Sequence, residues 1–308
     1  MRGDVPPSYS SYGEIESSLR GLKAELVSAG VSHHRRLDYC IQSMQELIAI
    51  THGAPITRDL PAYFSALYES AELSEIAGAF EMFGPAAVHR LHLATQGSPG
   101  YVDDTAPEGR NISFELAMAV RAAKCGAKIQ LPSDGDLTIA TPNEVFIAEC
   151  KRPQSLASLK RNIEKASRQG TKRTNNQNSI VMVDASFALN PLFRIKKTNL
   201  SRTRFFNRAQ KFLYAFTQEE ACRANGMPDL SHIGILIRYS CFGVASNEMF
   251  HCQPWTAYPN SRLGVASIAS LRRIVAFFDP SYTDSFDAHS NVTHMSVYSG
   301  YESDSSKS

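Results

Sequence analysis

Cysteine is sparse and unpatterned. The six residues, Cys40, Cys125, Cys150, Cys222, Cys241 and Cys252, contain no C-x-x-C pair. So scattered a set excludes a disulfide scaffold and fits a reducing compartment. Cys241 and the His251-Cys252 pair lack the paired spacing of a zinc site and read as loose cysteines. No run of 18 apolar residues occurs, and the opening MRGDVPPSYSSYG has no apolar signal core. The expectation is a cytoplasmic chain with no membrane partner. There is no internal repeat, no G-x-S-x-G and no glycine-rich phosphate loop, which leaves solenoids, serine hydrolases and Walker-type nucleotide hydrolysis unsupported. What remains is 308 residues with 43% hydrophobic content, enough for a sizeable core in one large domain or two modest ones.

Helical spacing dominates up to about residue 94, as in Leu19, Leu22, Leu26 and in Tyr63, Leu67, Leu73, Ile76. The breaker cluster Gly97-Ser-Pro-Gly100, with Pro107 and Gly109 following, sets a boundary near residue 100. Beyond it, 111–125 reads as a helix ended by Gly126. Strands are expected at 128–131, 136–140 and 144–151, a helix at 156–169 ended by Gly170, and a strand at 179–184. A long helix over 203–221, a last buried strand at 232–241 and a helix within 262–278 follow. Alternation of this kind predicts an α/β fold, a mixed sheet flanked by helices. The division is then a mainly helical N-terminal region (1–100), an α/β domain (101–283) and a flexible Ser-rich tail (284–308), which holds eight serines in 25 residues.

Net charge is only +2, but it is unevenly spread. Fifteen lysines and arginines lie between Lys151 and Lys211 against two acids, Glu164 and Asp184, so that segment carries +13 and the remainder −11. A polyanion such as nucleic acid is the natural partner, because neutralising phosphates releases counterions. A solvated helix face with a basic loop is the plain alternative. His33-His34-Arg35-Arg36 reads as an exposed helix or loop edge. Phe205, Phe206, Phe212, Tyr214 and Phe216, interleaved with basic residues, read as core before base stacking.

The stretch 132–151 carries the chemistry. Asp136 opens one strand, Glu149 ends the next, and Lys151 follows on the same face as Glu149 because side chains alternate along a strand. If the strands pair as a hairpin, Asp136 comes beside Glu149, and two converging carboxylates suit Mg²⁺. Lys151 beside them could orient a metal-bound water or stabilise the pentacovalent phosphate. Cys150 faces the other way as a small buried hydrophobe. A strand-terminal salt bridge without metal is the competing reading.

Glu149-Cys150-Lys151, Asp136 with Leu137 and Ile139 alternating after it, and Glu115 in the preceding helix together resemble the PD-(D/E)xK nuclease superfamily over about residues 111–184. The resemblance implies a restriction-endonuclease-like mixed sheet. It further implies Mg²⁺ (or Mn²⁺) held by Asp136, Glu149, the Cys150 carbonyl and Glu115, with Lys151 assisting the attacking water. Pro132 and Asp134 lie upstream of the strand, so Asp134 competes with Asp136. Gln169 stands where RecB-like members begin a Q-x-x-x-Y motif, but Arg173 replaces the tyrosine. The implied function is a metal-dependent nuclease, with DNA favoured over RNA. Arg152, Lys160, Arg161, Lys165, Arg168, Gln169, Lys172 and Arg173 would follow the substrate backbone. The helical region leaves a homodimer open. A non-catalytic nucleic-acid-binding protein on the same fold is the alternative, and an interaction protein with an acidic partner is a third reading.

Overall fold

The computed structural model describes residues 12–32, 34–97, 108–132, 137–173, 178–190, 196–197, 200–225, 232–245, 248–260, 264–278 and 295–297. Five helices come first: α1 (Tyr12–Ser28), α2 (Arg35–Thr51), α3 (Leu60–Ser74), α4 (Ala79–Phe83) and α5 (Pro85–Thr95). In α1 the spacing of Ile15, Leu19, Leu22 and Leu26 puts all four on one stripe, and all four are buried. They join Leu37, Met44, Leu67, Leu73 and Leu91 in a helical core.

The helix α6 (Glu108–Lys124) belongs to two cores at once. Leu116, Ala117 and Val120 face the helical cluster, while Phe114, Met118, Ala119 and Ala122 face a sheet. The helical region therefore docks directly on the α/β part through α6.

The sheet contains, among the described residues, seven strands. These are β1 (Lys128–Gln130), β2 (Leu137–Ala140), β3 (Val145–Lys151), β4 (Asn178–Asp184), β6 (His232–Arg238), β9 (Trp255–Pro259) and β10 (Met295–Val297), in that spatial order. The pairs β3/β4 and β4/β6 are parallel and the others antiparallel, so the sheet is mixed and the fold is α/β. The helix α6 and α10 (Gly264–Phe278) cover one face. The other face carries α7 (Leu156–Arg173), which crosses from β3 to β4, and α9 (Arg202–Asn225). A short α8 (Ser186–Leu189) follows β4. A smaller sheet holds β5 (Lys196–Lys197), β7 (Cys241–Ala245) and β8 (Glu248–Cys252) in the order β5-β7-β8.

Several element ends differ from the sequence expectation. The α7 helix runs through Gly170 to Arg173, since a glycine inside a helix costs only about 1 kcal/mol relative to alanine. The strand expected over 232–241 stops at Arg238; the Tyr239 amide still donates to the Pro254 carbonyl in register with β9, and Cys241 opens β7 of the smaller sheet. Within the expected Ser-rich tail, Met295–Val297 form β10 against β9.

Candidate active site

Phe146, Ile147 and Ala148 are buried in β3, and the strand closes with Glu149, Cys150 and Lys151. Alternation sorts these three. Cys150 packs with Phe146 and Ala148 on the α6/α10 side. Glu149 and Lys151 share the opposite face, level with Val181 and Val183 of β4. Glu149 is wholly buried, and the Lys151 Nζ donates to its Oε2 at 3.3 Å.

Glu115 reaches the same neighbourhood from α6. Arg90 of α5 holds its Oε1 at 3.1 Å, and the same guanidinium donates a 2.6 Å bond to the Pro132 carbonyl. Burial pushes the Glu115 carboxyl up to about 7, against the pull of Arg90 and then Lys151. Burial also raises Glu149, with Lys151 opposing and the charge of Glu115 adding to the rise. Lys151 acts on both carboxylates, which makes the three one electrostatic group. The Cys150 thiol is pushed well up, by burial first and Glu115 second.

Glu149 and Glu115 are hard-oxygen donors of the type a divalent cation takes, and the charge of such an ion would offset what burial and mutual repulsion penalise. Among the described residues, no group of three or more His, Cys, Asp or Glu could hold a metal. The expected third ligand, Asp136, and its competitor Asp134 lie outside the described residues. Leu137, next to Asp136 in the chain, pairs with Ala148, one position before Glu149.

The residues expected along the substrate divide. Arg161, Lys165 and Arg168 are exposed on α7, Lys160 and Gln169 are half-buried, and the side chains of Lys172 and Arg173 lie outside the described ones. Arg152 is a correction. Its side chain is 8% exposed and pairs with Glu72 of α3 at 2.5 Å and with Asp184 at 3.8 Å, so it faces the protein interior rather than a ligand backbone.

Arg152 belongs to a buried ion network that sequence reasoning missed. Arg36 pairs with Glu69 and Glu72, Arg110 with Glu69, and Arg238 with Glu75 and Asp184. The helical region thereby supplies three acids, and Arg110, Arg152 and Arg238 answer them from α6 and the strand ends. Burial alone would raise Asp184, but Arg238, Arg152 and the Ser186 hydroxyl and amide outweigh it and hold its carboxyl below the usual range. The expected exposed edge at 33–36 is corrected in part, Arg35 being exposed as expected. His33 lies outside the described residues, and both His34 and Arg36 are buried. The available signal was Glu69 and Glu72 set among Leu67, Tyr68, Ala71 and Leu73 of α3, where buried acids demand cations. Arg90 left no local signal.

No family model, curated protein or solved structure matches this chain.

Proposed function

We propose that the chain is a divalent-metal-dependent nuclease of the PD-(D/E)xK kind on a restriction-endonuclease-like core, hydrolysing phosphodiester bonds in DNA before RNA. One observation carries the reading: a buried strand presents Glu149 and Lys151 on one face 3.3 Å apart, with Glu115 of α6 in the same electrostatic group. The order α6, β1–β3, α7, β4 is the order the sequence resemblance implies.

Glu149, Glu115 and Asp136 would hold Mg²⁺, with the Cys150 carbonyl as a further donor. When bound, the ion supplies Lewis-acid charge at the phosphate and a more acidic water. Lys151, steadied by Glu149, offers an ammonium donor to the attacking water or to a phosphate oxygen. Arg90 keeps the Glu115 carboxylate in one orientation. Lys160, Arg161, Lys165 and Arg168, with Lys172 and Arg173 further along α7, would neutralise the substrate backbone without reading its sequence, and Gln169 would add a neutral hydrogen-bond donor.

The test uses purified protein with plasmid, linear duplex, single-stranded DNA and RNA, with and without Mg²⁺ or Mn²⁺. Cleavage in metal alone, lost in Glu149→Gln and Lys151→Ala while binding persists, is the expected result. Unchanged cleavage in those variants would falsify the assignment. A second reading is a binding protein whose metal site is idle. The ion pairs Arg90–Glu115 and Lys151–Glu149 favour it, since they compensate both carboxylates without a metal. A gel shift without cutting under every metal condition selects that reading.

A further inference from the structure

The helices α7 and α9 lie side by side on one face of the sheet, sharing a core of Leu159, Ile163, Phe206 and Leu213 against Val181 and Ile237. Their outward stripes therefore face away from the sheet together. On α7 that stripe carries Arg161, Lys165 and Arg168, and on α9 it carries Arg204, Arg208 and Lys211, all six exposed. Among the described side chains, Glu164 is the one acid on α7, where it pairs with Lys160 at 3.8 Å, and residues 204–218 of α9 include none, Glu219 and Glu220 following in the sequence. Arg161/Lys165 and Arg204/Arg208 are like-charged i,i+4 pairs, which weaken a helix. Such a surface is relieved by a polyanion.

Phe216 adds a second, independent feature. Phe205 and Phe206 are buried on the sheet side, but Phe216 is 47% exposed, five residues beyond Lys211 and round the flank of α9 from the basic stripe, with its ring 4.5 Å from that of Phe212. An exposed aromatic ring on the flank beside a basic stripe offers a stacking platform, and only an unpaired base has a free face to stack on it.

We infer that α7 and α9 form one continuous basic face, and that Phe216 on the flank beside it takes an unpaired base, so that the partner of this face is a single strand of nucleic acid. This rests on the nucleic-acid reading above and adds to it a second helix, an aromatic contact and a strand preference.

The experiment measures binding of the full chain, in EDTA, to a fluorescein-labelled 20-mer of deoxythymidylate and to a duplex of equal length, by anisotropy over a range of salt. The single strand is expected to bind more tightly. Changing Arg204, Arg208 and Lys211 together to alanine reduces the slope of log affinity against log salt by about 2, at roughly 0.7 per phosphate contact. Phe216→Ala weakens single-strand binding roughly tenfold with no change in that slope, and Phe216→Trp restores it. If the α9 variants bind as the parent does while Arg161→Ala/Lys165→Ala/Arg168→Ala loses affinity, this inference falls and the nuclease reading stands. Equal affinity for duplex and single strand that ignores Phe216 also overturns it. Absence of binding to either nucleic acid removes both readings.

Discussion

Arg36 is 1% exposed, yet its guanidinium meets Glu69, Glu72 at 3.2 Å, the Ala94 carbonyl at 2.6 Å and the Ser113 hydroxyl at 3.1 Å. One side chain thus ties α2 to α3, α5 and α6. A buried ion pair gains little over apolar packing, but removing one partner strands the others in a dry interior. Arg36→Ala leaves two acids of α3 facing each other with Arg110 and Arg152 as remaining cations. A stability loss of about 3–5 kcal/mol is expected, read from urea unfolding. The same reasoning explains why 33–36 looked like an exposed edge in the sequence. Local spacing assigns arginine to solvent, and the partners that keep Arg36 inside lie 33 and more residues away. Glu149 and Lys151 were legible because the apolar run before them and their i,i+2 spacing are both local.

At the scale of elements, β3, α7 and β4 follow from periodicity, with ends shifted by a few residues. Gly109 had a different role from the one its sequence context implied. It read as part of a breaker cluster, but it sits in the first turn of α6, where a Cβ would stand 2.7 Å from the Leu93 carbonyl oxygen. That close approach lets α5 pack on α6, and α6 carries Glu115. Gly109→Ala should force the helices apart and lower stability by about 1–3 kcal/mol. The measurement is a reduced denaturant midpoint at unchanged m-value. The strands β7, β8 and β9 escaped the sequence reading for a related reason: the apolar run Ile233–Ile237 marks β6 locally, but the pairing of β9 with β6 and of β7 with β8 is made between separate segments.

Over the whole molecule, two buried histidines make folding sensitive to acid. Burial lowers His232 to about 4, and burial followed by Arg238 lowers His251 to about 3. His251 also contacts the Ser240 hydroxyl at 2.5 Å and stacks on Phe242 at 4.6 Å. The unfolded chain takes up these protons near pH 6.5 and the folded one does not. The contribution of the histidines is therefore full above pH 6.5 and falls as pH drops toward 4, by up to about 1.4 kcal/mol per pH unit each, while the raised Glu115 carboxyl, protonated first in the folded chain, acts in the opposite direction. Circular dichroism melts between pH 4 and 7 should show the difference directly: from pH 7 to pH 4 His232→Gln loses less stability than the parent, because Glu115 and Glu149 act equally in both. An identical slope in that variant would contradict a neutral His232 in the folded chain. Among the described residues, no helix is long and apolar enough to cross a membrane.

The sequence alone determined the α/β alternation, the helical first third, the basic segment and the acid–lysine strand end, because each is written in neighbours a few residues apart. Tertiary structure decided which charges are surface and which are structural, sending Arg152 and Arg36 inward and leaving Arg208 and Phe216 outside. It also decided that Arg90, from the helical region, holds Glu115. Those outcomes depend on contacts between distant segments, where a charge is placed by the partner that meets it and not by the pattern around it.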